Sequence, residues 1–130
     1  MTTSRTRTLL FAGALSALTI LAPTAAHADA PYTQAAAHVA ADGSLIWGKN
    51  ITYTSSPTPG IYCVGIAPRI LLDEETIIQA TSQWASRSIG ASPAPHGDCG
   101  NRPQTVTVWV KWALVHSHEL APGDFYLSIS

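Results

Sequence analysis

Between Thr105 and Val115 the side chains alternate with a period of two: Val106, Val108, Val110, Trp112 and Leu114 are interleaved with Thr107, Trp109, Lys111 and Ala113. Successive side chains of a strand leave on opposite faces, so this run carries one continuous apolar face and one mixed face. A helix would scatter the same residues around its axis. The even-numbered face is therefore expected in the core, with Trp112 deeply buried and Trp109 on the outer face beside Thr107 and Lys111.

A strand needs partners, and the rest of the chain supplies them. Ala35 to Ala40 and Ser44 to Thr54 flank Ala41-Asp42-Gly43, and Asp-Gly tolerates the positive φ of a tight hairpin turn. Ser55 to Gly60 is turn chemistry that leads into Ile61 to Ile66, rich in β-branched and aromatic residues. Pro122-Gly123-Asp124 turns into a closing strand, Phe125 to Ile129, with Phe125, Leu127 and Ile129 on one side. Asp73 to Ser88 fits two periods: Asp73 could cap a helix bearing Ile77, Thr81 and Trp84, while Ile78, Ala80, Ser82 and Trp84 alternate as a strand. Because every other element is a strand, a strand over Thr76 to Trp84 is preferred. Gly90 to Gln104 is rich in Ser, Pro, Gly, Asp and Asn and reads as a loop. The expected fold is all-β, a small antiparallel β-sandwich or barrel of about six to eight strands.

The first residues belong to a different kind of segment. Arg5 and Arg7 precede an apolar run from Leu9 to Ala22, followed by Pro23 and the small-residue pattern Ala26-His27-Ala28. This is the layout of a signal peptide over residues 1–28, with its apolar stretch as a signal helix, cleaved to leave a secreted domain over 29–130 that starts at Asp29; cleavage after Ala30 is the close alternative. The apolar run is too short for a lasting membrane anchor, and the domain is expected outside the cell as a monomer. Loss of Arg5 and Arg7 leaves five basic residues against eight acidic ones, a net charge of −3. Those five, Lys49, Arg69, Arg87, Arg102 and Lys111, are scattered singly, which argues against a nucleic-acid partner and against an anionic membrane surface.

Few residues could carry chemistry. Cys63 and Cys99 are the only cysteines, and an even count in an exported chain reads as a disulfide. Closing that loop removes chain entropy worth about 4 kcal/mol, comparable to the net stability of a small domain. His116-Ser117-His118 has a spacing that puts two imidazoles on one face of a strand, but a metal site needs a third ligand, to be drawn from His38, His96, Asp98 or Glu119. Asp73, Glu74 and Glu75 are adjacent acids in a polar run, unlike catalytic carboxylates set across a cleft. No phosphate loop, nucleophile elbow or zincin motif is present, so neither a catalytic residue nor a cofactor is assigned and the chain is not expected to be an enzyme.

Trp47, Trp84, Trp109 and Trp112 are more tryptophans than one small core requires. An indole left exposed on a rigid sheet can stack on a sugar ring or anchor a protein, which makes Trp109, Lys111 and Trp47 the candidate binding residues.

Ala37-His38-Val39, Asp42-Gly43-Ser44-Leu45, Lys49-Asn50-Ile51-Thr52, Gly60-Ile61-Tyr62-Cys63-Val64, Gln83-Trp84, Cys99 and Phe125-Tyr126-Leu127 together resemble small exported single-disulfide proteins of actinobacterial type with no assigned function. The resemblance implies an all-β secreted domain with one Cys63 to Cys99 bridge and transfers no binding or catalytic residue. The expected function is extracellular binding or cell-surface association, with an unknown protein or cell-wall carbohydrate as partner. One alternative is a secreted inhibitor or effector presenting the disulfide-held loop 92–103; a third is a metal-dependent enzyme using His116 and His118.

Overall fold

The computed structural model describes residues 32–114 and 118–130. Eight strands are formed among them: β1 (Ala35–Val39), β2 (Leu45–Lys49), β3 (Ile51–Thr58), β4 (Ile61–Ile66), β5 (Ile78–Ser82), β6 (Arg87–Ser92), β7 (Thr105–Trp112) and β8 (Phe125–Ile129). They make two four-stranded antiparallel sheets, ordered β2-β1-β8-β5 and β3-β4-β7-β6. The only helical element among them is a single 3-10 turn, Gly97–Cys99. The expected signal peptide, residues 1–28, lies outside the described residues.

Both sheets contribute to one core. Ala35, Ala37, Val39, Phe125, Leu127 and Ile129 come from the first sheet, and Tyr62, Val64, Ile66, Val106, Val108 and Val110 from the second. The rings of Tyr62 and Phe125 meet edge to face, 5.0 Å between centroids. Alternation explains the choice on β1, β7 and β8, where the odd residues of β1 and β8 and the even residues of β7 point inward.

The chain changes sheet at both sides of the molecule. β2 and β3 are edge strands of different sheets separated by Asn50 alone, and β5 and β6 are the opposite pair of edges, joined through residues 83–86. Asn50 takes a left-handed conformation, φ 57°, that turns the strand direction. Its side chain fixes the corner by donating to the Gln34 carbonyl at 2.6 Å and accepting from the Arg69 guanidinium. A strand that bends from one sheet into the next leaves little open edge for another chain to pair with.

Several expectations are corrected here. Ser44 to Thr54 is not one strand but two, broken at Asn50. The strand preferred over Thr76 to Trp84 is present as β5 but shorter at both ends, with Trp84 in the turn to β6, and no helix forms between Asp73 and Ser88. The loop expected from Gly90 begins only after Ser92, because Ser88, Gly90 and Ser92 alternate with Ile89 and Ala91 and pair with β7 from Arg87↔Trp112 to Ser92↔Thr107.

The expected burial of Trp112 is also wrong. Val106, Val108 and Val110 are fully buried, but Trp112 is 38% exposed. The register of the face holds, and the strand outruns the core: beyond Val110 no strand of the first sheet covers Trp112. Trp112→Ala should therefore cost about 1–2 kcal/mol, well short of the 3–5 kcal/mol for a fully buried tryptophan, as measured by urea unfolding.

One buried polar network ties the turns at one end of the core. The Tyr62 hydroxyl donates to the Ala41 carbonyl (2.8 Å) and accepts from the Gly123 amide (3.1 Å), while Asp124 Oδ1 accepts from the Ala41 amide (2.8 Å). Burial pushes the Tyr62 phenol above its ordinary value, against the opposing pull of the Gly123 amide. A phenol whose folded value is raised holds its proton more tightly when folded, so its contribution is intact below about pH 10 and is lost as pH rises towards and through the folded value. Tyr62→Phe should cost about 1–3 kcal/mol at neutral pH by orphaning the Ala41 carbonyl and the Gly123 amide. The variant should also lose less stability than the parent between pH 9 and about pH 11, which chemical denaturation at each pH would check.

Candidate functional site

The second sheet has an outer face that is only partly open to solvent. All six residues of β4 are buried, and so are Thr105 and Thr107 on the outward side of β7. Two things cover them: the Tyr53 ring of β3 lies over Gly65 and bonds Thr105 Oγ1, and the turn that carries Cys99 lies over Cys63. Cys99 reaches down to Cys63 in a disulfide, with Cα atoms 5.7 Å apart, and seats the 3-10 turn Gly97–Cys99 on the sheet.

The turn is built from local hydrogen bonds. His96 precedes it in an extended conformation, its Nδ1 accepts from the Asp98 amide (3.2 Å), and its carbonyl accepts from the amides of Cys99 and Asn101. Gly100 and Asn101 then take left-handed conformations that return the chain towards β7.

This turn holds Trp109 in place. The indole Nε1–H donates to Asp98 Oδ2 at 2.9 Å, and the His96 ring stands edge-on to the indole, 4.9 Å between centroids and 84° between planes. On the sheet, Trp109 lies opposite Ile61 of β4 on one side and Gly90 of β6 on the other. A Cβ built on Gly90 would meet no atom within 4 Å, so the space beside that flank of the indole is open. The result is a cleft of about 260 Å³ lined by Ser88, Ile89, Gly90, Trp109 and Lys111.

On the other side of the turn, a second cleft of about 320 Å³ runs along Tyr53, Ser55, Cys63, Asp98, Cys99 and Arg102. Tyr53 bonds Thr105 Oγ1 through its hydroxyl (2.7 Å), and the Arg102 guanidinium lies 5.3 Å from its ring centre. Asp98 thus borders this cleft while holding the tryptophan of the first.

Trp109 and Lys111 are brought together as expected. Trp47 is not with them: it lies on β2 in the other sheet, opposite His38, whose ring stacks on Tyr126 at 4.2 Å. Of the four proposed third metal ligands, His96 and Asp98 meet on the loop, 3.4 Å between Nδ1 and Oδ2, while His38 lies on β1 and Glu119 beyond β7. His116 lies outside the described residues, and among the described residues no three His, Cys, Asp or Glu side chains converge. Ser88 and Lys111 are cross-strand neighbours, yet no hydrogen bond joins their side chains.

Gly90 and Ser88 were not anticipated as site residues, because glycine and serine lower strand propensity and mask the alternation of Ile89 with Ala91. That alternation is the signal that could have found them. No family model, curated protein or solved structure matches the chain.

Thr107 tests how tightly the covering loop sits. Its Oγ1 is buried without a hydrogen-bond partner. Thr107→Val removes an orphaned hydroxyl and keeps the shape, so it should leave stability unchanged or raise it by about 1 kcal/mol. A calorimetric loss larger than that would show that the hydroxyl has a partner.

Proposed function

We propose that the chain is a secreted, non-catalytic β-sandwich module that associates with cell-surface carbohydrate through the Trp109 cleft. The observation that carries this reading is the room left by Gly90 beside an indole that is already fixed by Asp98 and His96. An aromatic face held in one orientation before binding loses little conformational entropy when a sugar ring stacks on it. Ser88 and Lys111 supply a hydroxyl and an ammonium at the rim, where ring hydroxyls or an acidic substituent of a glycan would lie. Export is supported by the Cys63–Cys99 disulfide, which persists in oxidising compartments. Among the described residues no helix is long and apolar enough to cross a membrane.

A second reading has its own observation. Residues 94 to 98 are exposed while Cys99 behind them is buried and bridged, which is a mechanical arrangement suited to presenting a loop to a partner protein. Inhibition assays against secreted proteases would support it.

The two readings separate on Gly90. Gly90→Leu should fill the cleft without disturbing the loop, since nothing lies within 4 Å of the new Cβ. It should lower binding to insoluble cell-wall polysaccharide about five- to tenfold, as should Trp109→Ala, with the melting temperature of Gly90→Leu nearly unchanged. Unaltered sedimentation with the polysaccharide in both variants would remove the Trp109 cleft from consideration.

A further inference from the structure

At the end of β7 a second aromatic cluster surrounds a cation. Arg87 is paired with Trp112 across β6 and β7, and its guanidinium carbon lies 3.6 Å from the Trp112 ring centre and 5.0 Å from that of Trp84. The guanidinium is anchored as well as stacked. Nε donates to the Pro122 carbonyl (3.2 Å) and Nη1 to Ser86 Oγ (3.0 Å). These bonds use two of the five N–H groups, leaving one on Nη1 and both on Nη2 without an acceptor among the described residues. Among the described residues no carboxylate lies within 4 Å of this half-buried guanidinium. The two indoles that stack on it are partly open, Trp84 43% exposed and Trp112 38%, and Leu114, two residues beyond Trp112, is 73% exposed.

We propose that this cluster is a docking site for a carboxylate carried next to an apolar side chain on a partner protein. A planar guanidinium that is already fixed presents its remaining N–H groups as a fork, which matches the two oxygens of one carboxylate. The flanking indoles and Leu114 would cover the apolar neighbour, and tryptophan and arginine are the residue types that dominate protein interfaces. Charge selects this occupant over a lipid surface. An anionic bilayer is held by several cations together, whereas among the described residues Arg87 is the one Lys or Arg in contact with these indoles, and Lys49, Arg69, Arg87, Arg102 and Lys111 are dispersed along the chain. The site is separate from the Trp109 cleft, since Trp112 and Trp109 leave β7 on opposite faces.

The test uses the full secreted chain, immobilised and panned against displayed random heptapeptides. Enriched sequences should carry Asp or Glu beside Leu, Phe or Met, and the best synthetic heptapeptide should lose about tenfold in affinity when its acid becomes the amide. Arg87→Lys in the protein should produce a similar loss, because it keeps the charge and removes the fork. Trp84→Ala, in a surface turn, provides a second variant should Arg87→Lys fold poorly, and it should also weaken the peptide. Gly90→Leu should not. A library without an acidic consensus, or a peptide whose affinity survives both Arg87→Lys and Trp84→Ala, would overturn the proposal. Binding of the protein to phosphatidylglycerol-containing vesicles that is lost on Arg87→Lys would also overturn it, by making a lipid headgroup the occupant.

Discussion

The disulfide between Cys63 and Cys99 fixes a cover over the outward side of the centre of the second sheet, where β4 and the first residues of β7 are buried on both faces. An antiparallel sheet commonly keeps one face in the core and the other in water, and its strands then alternate. β4 does not alternate, because all of Ile61, Tyr62, Cys63, Val64, Gly65 and Ile66 are buried. Its outward side is covered by the Tyr53 ring over Gly65 and, over Cys63, by irregular chain around Cys99 that has no apolar stripe of its own to hold it down. One covalent bond and the Asp98 to Trp109 hydrogen bond substitute for that stripe. The candidate cleft inherits its shape from this cover, since the same turn that shields Thr107 also fixes the indole.

Glycine and polar residues place the other constraints. Gly60 sits at φ 90° in the β3 to β4 turn, where a Cβ would come within 2.9 Å of the Val110 carbonyl oxygen and 2.8 Å of the Ala121 amide. The turn is thus pressed against the chain that follows β7, and any side chain there would push the two apart. Tyr62 does the same service at the interior by joining the β1 to β2 turn to the start of β8 through one hydroxyl. Both contacts join segments far apart in sequence, the first within the second sheet and the second between the two sheets.

Alternation made the inner faces of β7 and β8 legible, and Asp42-Gly43 marked the first turn, but periodicity says which face a residue takes and not how far the facing layer extends. Trp112 shows the difference: it keeps the inward parity of Val110 and lies beyond the covering sheet. Asn50 was hidden for another reason. A single residue in a left-handed conformation leaves the strand pattern on either side intact, so a corner between two sheets looks like one long strand. β6 was hidden by composition, its outward positions being Ser88, Gly90 and Ser92, and those small residues are what opens the space beside Trp109. The features that obscured the strand are the features that make the cleft.

The β6 and β7 ladder carries both aromatic sites, and their separation follows from its geometry. Gly90 faces Trp109 and Arg87 faces Trp112, three residues apart on each strand. An odd offset places the two pairs on opposite faces, one under the disulfide-held loop and one at the open end of the core. Each tryptophan is then oriented by what its cross-strand partner lacks or supplies. Glycine opposite Trp109 leaves a vacant flank, and arginine opposite Trp112 covers a ring and adds a charge. Because the backbone ladder is shared, both indoles are mounted on one frame and face opposite sides of it.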